Sequence, residues 1–332
     1  MANAPKRHHF VPQCYLSSWA NLDGHVAVRR RETKEIFTPH PKNVTIESHL
    51  YGPVHVAKQV EDLFSKVEAD WPKLKQKLAG GELLSSDERE LVAIFIALQV
   101  VRLPDHFIQG EIASRVAEHC GTTEPSRDQV GDYLEKRHLG FRPETREVEA
   151  AWSFVTAILR IHRSEGGLTR PEAIGLGLDI AIKKLAPFIL SCSWKVEHCR
   201  KRSLITSDRP VTYWAKPSKM DQLQGLGMVN ASEIWLPLDP QSLLTLTNSG
   251  GATVAGVVDV KPRRFEVVNS EIAARCSKCV VATPHRSAAL MKMHLGKHGP
   301  ALRFNMAPGI RRLPDGSTEP MGDVLHMWTP RY

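Results

Sequence analysis

Two adjacent histidines near the start of the chain, His8 and His9, are the first residues whose types could support chemistry. Histidine titrates near neutral pH and can act as an acid, a base or a metal ligand. Neighbouring side chains of an extended segment point to opposite sides, so at most one imidazole faces a given pocket. The alternative interpretation is a basic terminus without a role, because chain ends are commonly poorly ordered.

A second polar exception lies in the apolar stretch from Leu91 to Leu103. Gln99 and Arg102 are three residues apart and therefore share one face of a helix. A buried Arg102 would need a carboxylate partner, since an unpaired buried charge is very costly. Alternatively, Arg102 reaches water at the last helical turn, where its charge suits the helix dipole. The sequence leaves both interpretations open.

A third polar group follows an apolar strand. The segment Leu204-Ile205 leads directly into Thr206-Ser207-Asp208-Arg209-Pro210. Loops at the ends of strands are common positions for catalytic or ligand-binding carboxylates, which makes Asp208 a candidate. The alternative is an ordinary turn in which the Asp208 side chain bonds its own backbone.

Cysteine and histidine also occur at the spacing of a zinc finger, Cys276-x2-Cys279 and His294-x3-His298 with 14 residues between the pairs. However, the two cysteines continue an apolar stripe that includes Ile272, and a proline interrupts the intervening segment. We therefore expect core thiols on a helix rather than zinc ligands. The chain has no Walker loop, no Gly-x-Gly-x-x-Gly, no Gly-x-Ser-x-Gly and no His-Glu-x-x-His motif, which disfavours the corresponding enzyme classes.

The elements that must position these residues follow from hydrophobic periodicity. The pattern predicts a helical segment from about residue 57 to a stop at Gly80-Gly81, and a helix that starts at residues 85–88 and is almost wholly apolar from Leu91 to Leu103. Further helices are predicted over residues 12–20, 129–137, 144–163, 171–186 and 272–279. Capping boxes are expected at Ser85 with Glu88 and at Thr169 with Glu172. Strands are predicted over residues 25–31, 35–38, 192–198, 204–206, 211–214, 234–238 and 243–247, and an extended arm from residue 299.

This order of elements predicts an α+β fold, in which a helical middle region packs with a small mixed or antiparallel sheet. The sheet would be built from N- and C-terminal segments. The boundaries are a mixed segment 1–56 with the histidines, a helical region 57–190, a strand-rich region 191–298 and a basic, Pro- and Gly-rich tail 299–332. One domain is the expected organisation.

The formal net charge is +8, and residues 261–332 carry 12 Lys and Arg against 5 Asp and Glu. A basic excess is compatible with a nucleic-acid partner, and equally with solubility alone. No apolar run reaches the roughly 20 residues of a membrane span, and no secretory signal is visible. Six cysteines in a chain of this length do not form a dense disulfide framework, so we expect reduced thiols and a cytoplasmic location.

With these residues in view, the chain resembles the family known as domain of unknown function 4238. The matching segments are His8-His9-Phe10-Val11-Pro12-Gln13-x-Tyr15-Leu16, Ala97-Leu98-Gln99-x-x-Arg102-x-Pro104, Leu204-Ile205-Thr206-Ser207-Asp208-Arg209-Pro210 and Pro237-Leu238. Cys14 stands where an aromatic residue is more usual, and the paired Cys and His residues are not part of the pattern. The resemblance supplies no function, but it favours a functional histidine segment over an incidental tail.

Our hypothesis is that His8 or His9, Gln99, Arg102 and Asp208 converge on one pocket as catalytic residues. An imidazole, a carboxylate and a phosphate-clamping arginine suit phosphodiester cleavage, which predicts a nuclease of a bacterial toxin-like or defence type. Substrate-binding residues would be Arg7, Tyr15 and Ser207, the partner a nucleic acid, and the only cofactor to consider a divalent metal ion. The alternatives are a non-catalytic nucleic-acid or ligand-binding module, with Arg102 and Asp208 as a structural ion pair, and a hydrolase or transferase acting on a small phosphorylated ligand.

Overall fold

The computed structural model of the protein describes residues 7–51, 54–139, 142–161, 170–215, 227–229, 231–248, 256–295, 303–312 and 318–328. The helices are α1 (Gln13–Leu16), α2 (Val54–Ala69), α3 (Trp71–Gly80), α4 (Ser86–Val101), α5 (Pro104–Cys120), α6 (Arg127–Leu134), α7 (Thr145–Ile161), α8 (Arg170–Ile180), α9 (Ala186–Ser191), α10 (Pro262–Arg275) and α11 (Ser287–Lys292). The strands are β1 (Arg7–His9), β2 (Ala27–Arg30), β3 (Ile36–Phe37), β4 (Ile46–Ser48), β5 (Ser193–His198), β6 (Thr206–Ser207), β7 (Thr212–Trp214), β8 (Glu233–Asp239), β9 (Ser242–Thr247), β10 (Val257–Asp259), β11 (Cys279–Ala282), β12 (Arg303–Arg312) and β13 (Thr318–Trp328).

Helix α4 is the central helix, and its start confirms the first predicted capping box. The Glu88 N–H donates to the Ser85 hydroxyl, and the Ser85 N–H donates to the Glu88 carboxylate. Most side chains from Val92 onward are buried, so the helix runs through the core. It ends at Val101, with Arg102 as its C-cap, because Leu103 is extended before Pro104. The second predicted capping box includes Thr169, which lies outside the described residues.

Two helix boundaries differ from the sequence prediction because of prolines. The helical segment predicted from about residue 57 to the stop at Gly80-Gly81 is divided at Asp70 into α2 and α3. Pro72 lacks the N–H that would continue the hydrogen-bond ladder of α2, but it is tolerated in the first turn of α3. Helix α5 was not predicted at all. It begins at Pro104, because the first residue of a helix has no hydrogen-bond partner for its N–H within the helix and proline lacks that N–H. The same proline therefore ends α4 and starts α5.

The helix predicted over residues 272–279 is wrong at both ends. Helix α10 begins ten residues earlier, with Pro262 in its first turn, and it ends at Arg275. Cys276 is already extended, and Cys279 lies in strand β11, where the β-branched Val280 and Val281 follow it. The two cysteines therefore do not share a helix, although both are buried in the core, as expected.

The sheets are small, and one of them joins strands from the N-terminal and the C-terminal parts of the chain. One four-stranded sheet has the order β3-β2-β11-β6, in which every neighbour is antiparallel. A five-stranded sheet has the order β10-β5-β9-β8-β7, with β10 parallel to β5 and the other pairs antiparallel. This arrangement confirms the α+β class with small mixed and antiparallel sheets. N- and C-terminal segments combine in the four-stranded sheet, whereas the five-stranded sheet is built from residues 193–259 alone.

The predicted arm at the end of the chain is a hairpin. Strands β12 and β13 pair antiparallel with each other over ten positions of β12. Phe304 is buried among residues of α5, α6 and α7, and its N–H donates to the Glu147 carboxylate at 3.2 Å. The strands are extended, as the sequence analysis expects, but their pairing and their docking were missed.

All six cysteines are free, and Cys192, Cys199, Cys276 and Cys279 among them are buried. Within the described ranges, no helix combines the length and the apolar character that crossing a membrane would require.

Candidate functional site

Strand β1 fixes the main chain of the two histidines by pairing with β4. The pairing continues beyond the strand, because the Phe10 N–H donates to the Thr45 carbonyl oxygen at 3.0 Å. Thr45 has a φ of 53°, a left-handed conformation that β-branched residues rarely adopt. Its hydroxyl donates to the Val11 carbonyl oxygen at 3.1 Å, which helps to hold this conformation. A strained residue thus anchors the histidine segment, as is common at functional sites.

His8 lies beneath the surface and is oriented by a carboxylate. Only 2% of the residue is exposed, and its Nδ1 lies 3.0 Å from Oε1 of Glu61. An ionised carboxylate only accepts hydrogen bonds, so the hydrogen is on Nδ1 of His8. The ring also packs against Tyr51, with the ring centroids 5.0 Å apart. Carboxylate–imidazole pairs of this kind orient catalytic bases and metal ligands.

His9 is half-buried, and its environment leaves one ring nitrogen able to accept a proton. The Nε2–H donates to the Lys42 carbonyl oxygen at 3.1 Å. Because a carbonyl oxygen only accepts, the neutral ring carries its hydrogen on Nε2 and keeps the lone pair on Nδ1. Burial lowers the pKa of His9, and the charge of Arg102 adds to this effect against the opposing influence of the Lys42 carbonyl, Glu61 and Glu68. The neutral form is therefore favoured.

Arg102 is buried and paired, the first of the two alternatives left open by the sequence. Its Nη1 contacts Oε1 of Glu68 at 2.5 Å, and its Nη2 donates to the His9 carbonyl oxygen at 2.6 Å. The guanidinium also lies 4.2 Å from the ring centroid of Phe64. Burial alone would lower the pKa of Arg102, but Tyr51 and Glu68 raise it overall. The cation therefore fastens the main chain at His9 to helices α2 and α4.

Gln99 lies one helical turn before Arg102 and is equally buried, with 1% exposed. Within the described residues, neither the Gln99 Oε1 nor the Arg102 Nε has a hydrogen-bond partner. Burying an unpaired polar group costs about 1–3 kcal/mol. Gln99 therefore stays a candidate for contact with a ligand.

Asp208 is buried and holds a turn of the main chain. Its carboxylate accepts hydrogen bonds from the Ser277 N–H at 2.9 Å and from the Lys278 N–H at 2.5 Å. These bonds fasten the turn before β11 to the end of β6. The sequence analysis offered Asp208 as the ion-pair partner of Arg102, whereas the ion pair seen for Arg102 is with Glu68.

A small cleft lies beside the histidine segment, with a volume of about 10 Å³, which is room for about one water molecule. Its walls are Phe10, Leu103, Pro104, Asp208, Arg209, Ser277 and Lys278. Phe10 follows the histidines in the first motif, Leu103 and Pro104 follow Arg102 in the second, and Asp208 and Arg209 belong to the third, while Ser277 and Lys278 lie outside the motifs. Segments that are almost 200 residues apart in sequence thus meet at one cleft. Of the residues that the hypothesis places in one pocket, Asp208 lines this cleft, whereas His8, His9, Gln99 and Arg102 are not among its walls, so the shared pocket stays a prediction.

The three predicted substrate-binding residues differ in exposure. Arg7 is exposed at the start of β1. Tyr15 is fully buried, and its hydroxyl donates to the Pro237 carbonyl oxygen at 2.8 Å. The buried Ser207 hydroxyl donates to the Arg209 carbonyl oxygen at 2.9 Å. A ligand would reach the Tyr15 or Ser207 hydroxyl only by replacing these partners, so Arg7 is the most accessible of the three.

The sequence analysis missed the partners that complete the site. These are Lys42, Thr45, Tyr51, Glu61 and Glu68. A signal for the two glutamates was present, because both lie within one turn of Phe64 and so border the apolar stripe of α2. Carboxylates at the border of a buried face are the natural partners of a buried arginine on a neighbouring helix.

The Cys and His residues at zinc-finger spacing, where the sequence analysis expects core thiols, do not form a ligand cluster in the described part of the chain, which contains no group of three His, Cys, Asp or Glu side chains suited to a metal ion. Burial raises the pKa of Cys276 to about 12 and that of Cys279 well above its usual value. Zinc binds thiolates, so these thiols are poor ligands as they stand. His298 lies outside the described residues.

We expect the imidazole of His9 to titrate below the ordinary value of 6.5, because burial disfavours its charged form. In the unfolded chain the same ring takes up its proton at a higher pH. Acidification through the interval between the two pKa values therefore destabilises the folded state, and stability at this residue is recovered as the pH rises. The measurement is an NMR titration of the imidazole resonances, assigned by their loss in the variant His9→Gln. A midpoint at or above 6.5 would contradict the burial argument.

The fold and the site together define an α+β protein with a polar site built around an N-terminal histidine segment. The family model described as "Protein of unknown function (DUF4238)" matches residues 7–286, and the chain belongs to this family. The β12–β13 hairpin lies beyond the matched range. No curated protein and no solved structure matches the chain.

Proposed function

We propose that this protein cleaves phosphodiester bonds in nucleic acid and that His9 is its acid–base residue. The observation that supports the proposal most is the state of the His9 ring. It is half-buried and favours the neutral form, and its Nε2–H is held by the Lys42 carbonyl oxygen, so that Nδ1 carries a lone pair. A positioned base of this kind contributes about 10²–10⁴-fold to a rate.

In this mechanism Nδ1 of His9 takes a proton from the attacking oxygen, either a water molecule or a ribose 2′-hydroxyl. The new P–O bond forms, the P–O bond to the leaving oxygen breaks, and the proton is returned to that oxygen. Arg102 and Tyr51 both donate hydrogen bonds to the His9 carbonyl oxygen, at 2.6 and 3.2 Å. They act as positioning residues, since they hold the main chain from which the base projects.

Charge supports a polyanionic substrate for the proposed nuclease. The chain has a formal net charge of +8, and the exposed Arg7 and Lys42 are close to His9 in sequence or in space. Lysine and arginine side chains bind phosphates while releasing counterions, which gives steep salt dependence. The free thiols fit a cytoplasmic location for this activity.

A specific observation favours a second function, a binding module without catalysis. Arg102 is neutralised by Glu68, and the Asp208 carboxylate is engaged by two main-chain N–H groups. Both residues are thus committed to holding the fold, whereas the pocket hypothesis gave them catalytic roles. In this case the site recognises a phosphate-containing ligand through its exposed basic residues and leaves it intact.

The test is cleavage of end-labelled single-stranded RNA, single-stranded DNA and duplex DNA by purified protein. Parallel reactions contain Mg²⁺, Mn²⁺, Zn²⁺ or a chelator, because either a metal-assisted or a metal-independent step would use the same base. We expect His9→Gln to slow cleavage by about 100-fold or more while nucleic-acid binding is retained. The matched control is His25→Ala, which changes an exposed histidine and is expected to leave the rate unchanged.

The outcomes separate the two functions. Cleavage that is equally fast in the wild type and in His9→Gln would place the activity elsewhere or in a contaminant. Absence of cleavage in every reaction, combined with binding that weakens steeply with salt, would establish the binding module instead.

A further inference from the structure

A second pocket lies between the loop after α3, the first turns of α4 and the five-stranded sheet. Its volume is about 200 Å³. The walls are mainly apolar and include Leu78, Leu83, Leu84, Trp194, Val196 and Leu244. An enclosed apolar surface with a small number of polar groups is the usual composition of a small-molecule site.

Arg89 is the cation of this pocket. Its Nη2 donates to the Leu190 and Cys192 carbonyl oxygens at 3.2 and 3.1 Å, and its guanidinium lies 4.9 Å from the ring centroid of Trp194. The Nε–H is buried and has no hydrogen-bond partner among the described residues. Arg89 also forms no ion pair with a carboxylate in that part of the chain.

A partly buried cation without an anion is unfavourable, because it has lost hydration without gaining a charged partner. The guanidinium of Arg89 is held in place by two carbonyl oxygens at the end of α9 and by an indole ring, so it is already oriented. Both carbonyl oxygens bind Nη2, so an anion that enters the pocket would bind the remaining edge of the guanidinium and complete its coordination. The apolar walls would at the same time bury the hydrocarbon part of the same molecule.

We propose that this pocket binds a small apolar monocarboxylate, with its carboxylate on Arg89 and its hydrocarbon part against Trp194 and Leu244. The single guanidinium matches one negative charge, and the nearby Glu82 on the wall disfavours a dianion such as a phosphate ester. The volume is below the roughly 300–1,000 Å³ of sites for drug-sized ligands, which limits the ligand to a few carbon atoms. This inference does not depend on the proposed nuclease activity.

The experiment compares hexanoate, hexanamide and hexylamine by isothermal titration calorimetry on the full chain. The three probes share one hydrocarbon length and differ in the charge of the head group. We expect hexanoate to bind at least about tenfold more tightly than hexanamide, because hydrogen bonds to charged groups are the stronger ones. Hexylamine is expected not to bind. Equal affinity of hexanoate and hexanamide, or no binding of hexanoate, would overturn the proposal.

Variants locate the binding. Arg89→Met is expected to weaken hexanoate binding by about tenfold or more and to leave hexanamide unchanged. Its control is Arg263→Met, which removes an exposed arginine outside the pocket. Leu83 is 70% exposed, so Leu83→Glu adds a negative charge at the rim without disturbing the core. It should weaken hexanoate relative to Leu83→Gln. Hexanoate affinity that is unchanged in both Arg89→Met and Leu83→Glu would exclude this pocket as the site.

Discussion

Replacing Arg102 with methionine is expected to lower the free energy of unfolding by about 3–5 kcal/mol. The side chain is 2% exposed, and its guanidinium contacts Glu68 and the His9 carbonyl oxygen at 2.5 and 2.6 Å. The variant leaves the Glu68 carboxylate facing an apolar group and the His9 carbonyl oxygen with one donor fewer. It also removes the contact with the Phe64 ring. The loss is a large fraction of the roughly 5–15 kcal/mol that stabilises a typical protein.

The measurement is urea unfolding followed by tryptophan fluorescence. The double variant Arg102→Met with Glu68→Leu should be more stable than Arg102→Met alone, because removing both charges avoids leaving one buried without a partner. The control is Lys183→Met, whose ion pair with Asp179 is exposed on both sides and is expected to contribute little. If Arg102→Met were as stable as the wild type, Arg102 would be free to serve a ligand, and the structural role assigned to it would be wrong.

Local sequence patterns predicted those elements whose signals are contained in neighbouring residues. The capping box of Ser85 and Glu88 predicted the start of α4, because its two reciprocal hydrogen bonds involve four consecutive residues. Strands β2 and β3, which pair with each other, followed from residue types in the same way. The effect of prolines was predicted less well, because Pro104 both ends α4 and begins α5 and only the first effect was expected.

The candidate site shows where a single sequence is insufficient. The polar exceptions Arg102 and Asp208 were found because both are unusual beside apolar neighbours. Their partners were not found, because Glu68 and the Lys278 N–H are many residues away in sequence. Neither partner is unusual beside its own sequence neighbours. Strand and helix patterns specify which face is buried, but they do not specify which buried faces meet. The pairing of a carboxylate with main-chain N–H groups carries no residue-type signal at all.

The sequence indicates the location of a polar residue more readily than its role. The N-terminal, central and strand-end motifs were expected to converge, and the cleft lined by Phe10, Leu103 and Asp208 shows that their segments do meet. A buried charge, however, can hold the fold or act on a ligand, and sequence cannot distinguish the two. Contacts can. The carboxylate of Asp208 has its oxygens on main-chain N–H groups, whereas His9 keeps Nδ1 with its lone pair.

Replacing Asp208 with alanine is expected to lower the free energy of unfolding by about 3 kcal/mol, since two charge-assisted hydrogen bonds are lost. The N–H groups of Ser277 and Lys278 would remain in a protein environment without their acceptor. Asp208→Asn should be nearly as damaging, because each carboxylate oxygen accepts one N–H and an amide offers only one acceptor oxygen. Chemical denaturation measures both variants, with the exposed Asp259→Ala as the control.

This prediction also decides how the cleavage assay is interpreted. A residue that holds a turn loses stability and activity together when it is removed, and activity at low temperature should recover to the extent that the variant is folded. A catalytic carboxylate instead loses activity while the fold stays intact. If Asp208→Ala were as stable as Asp259→Ala and yet inactive on a substrate that the wild type cleaves, the carboxylate would act in catalysis. We expect the opposite result, because the hydrogen bonds of Asp208 join the end of β6 to the turn before β11 and so close one wall of the cleft.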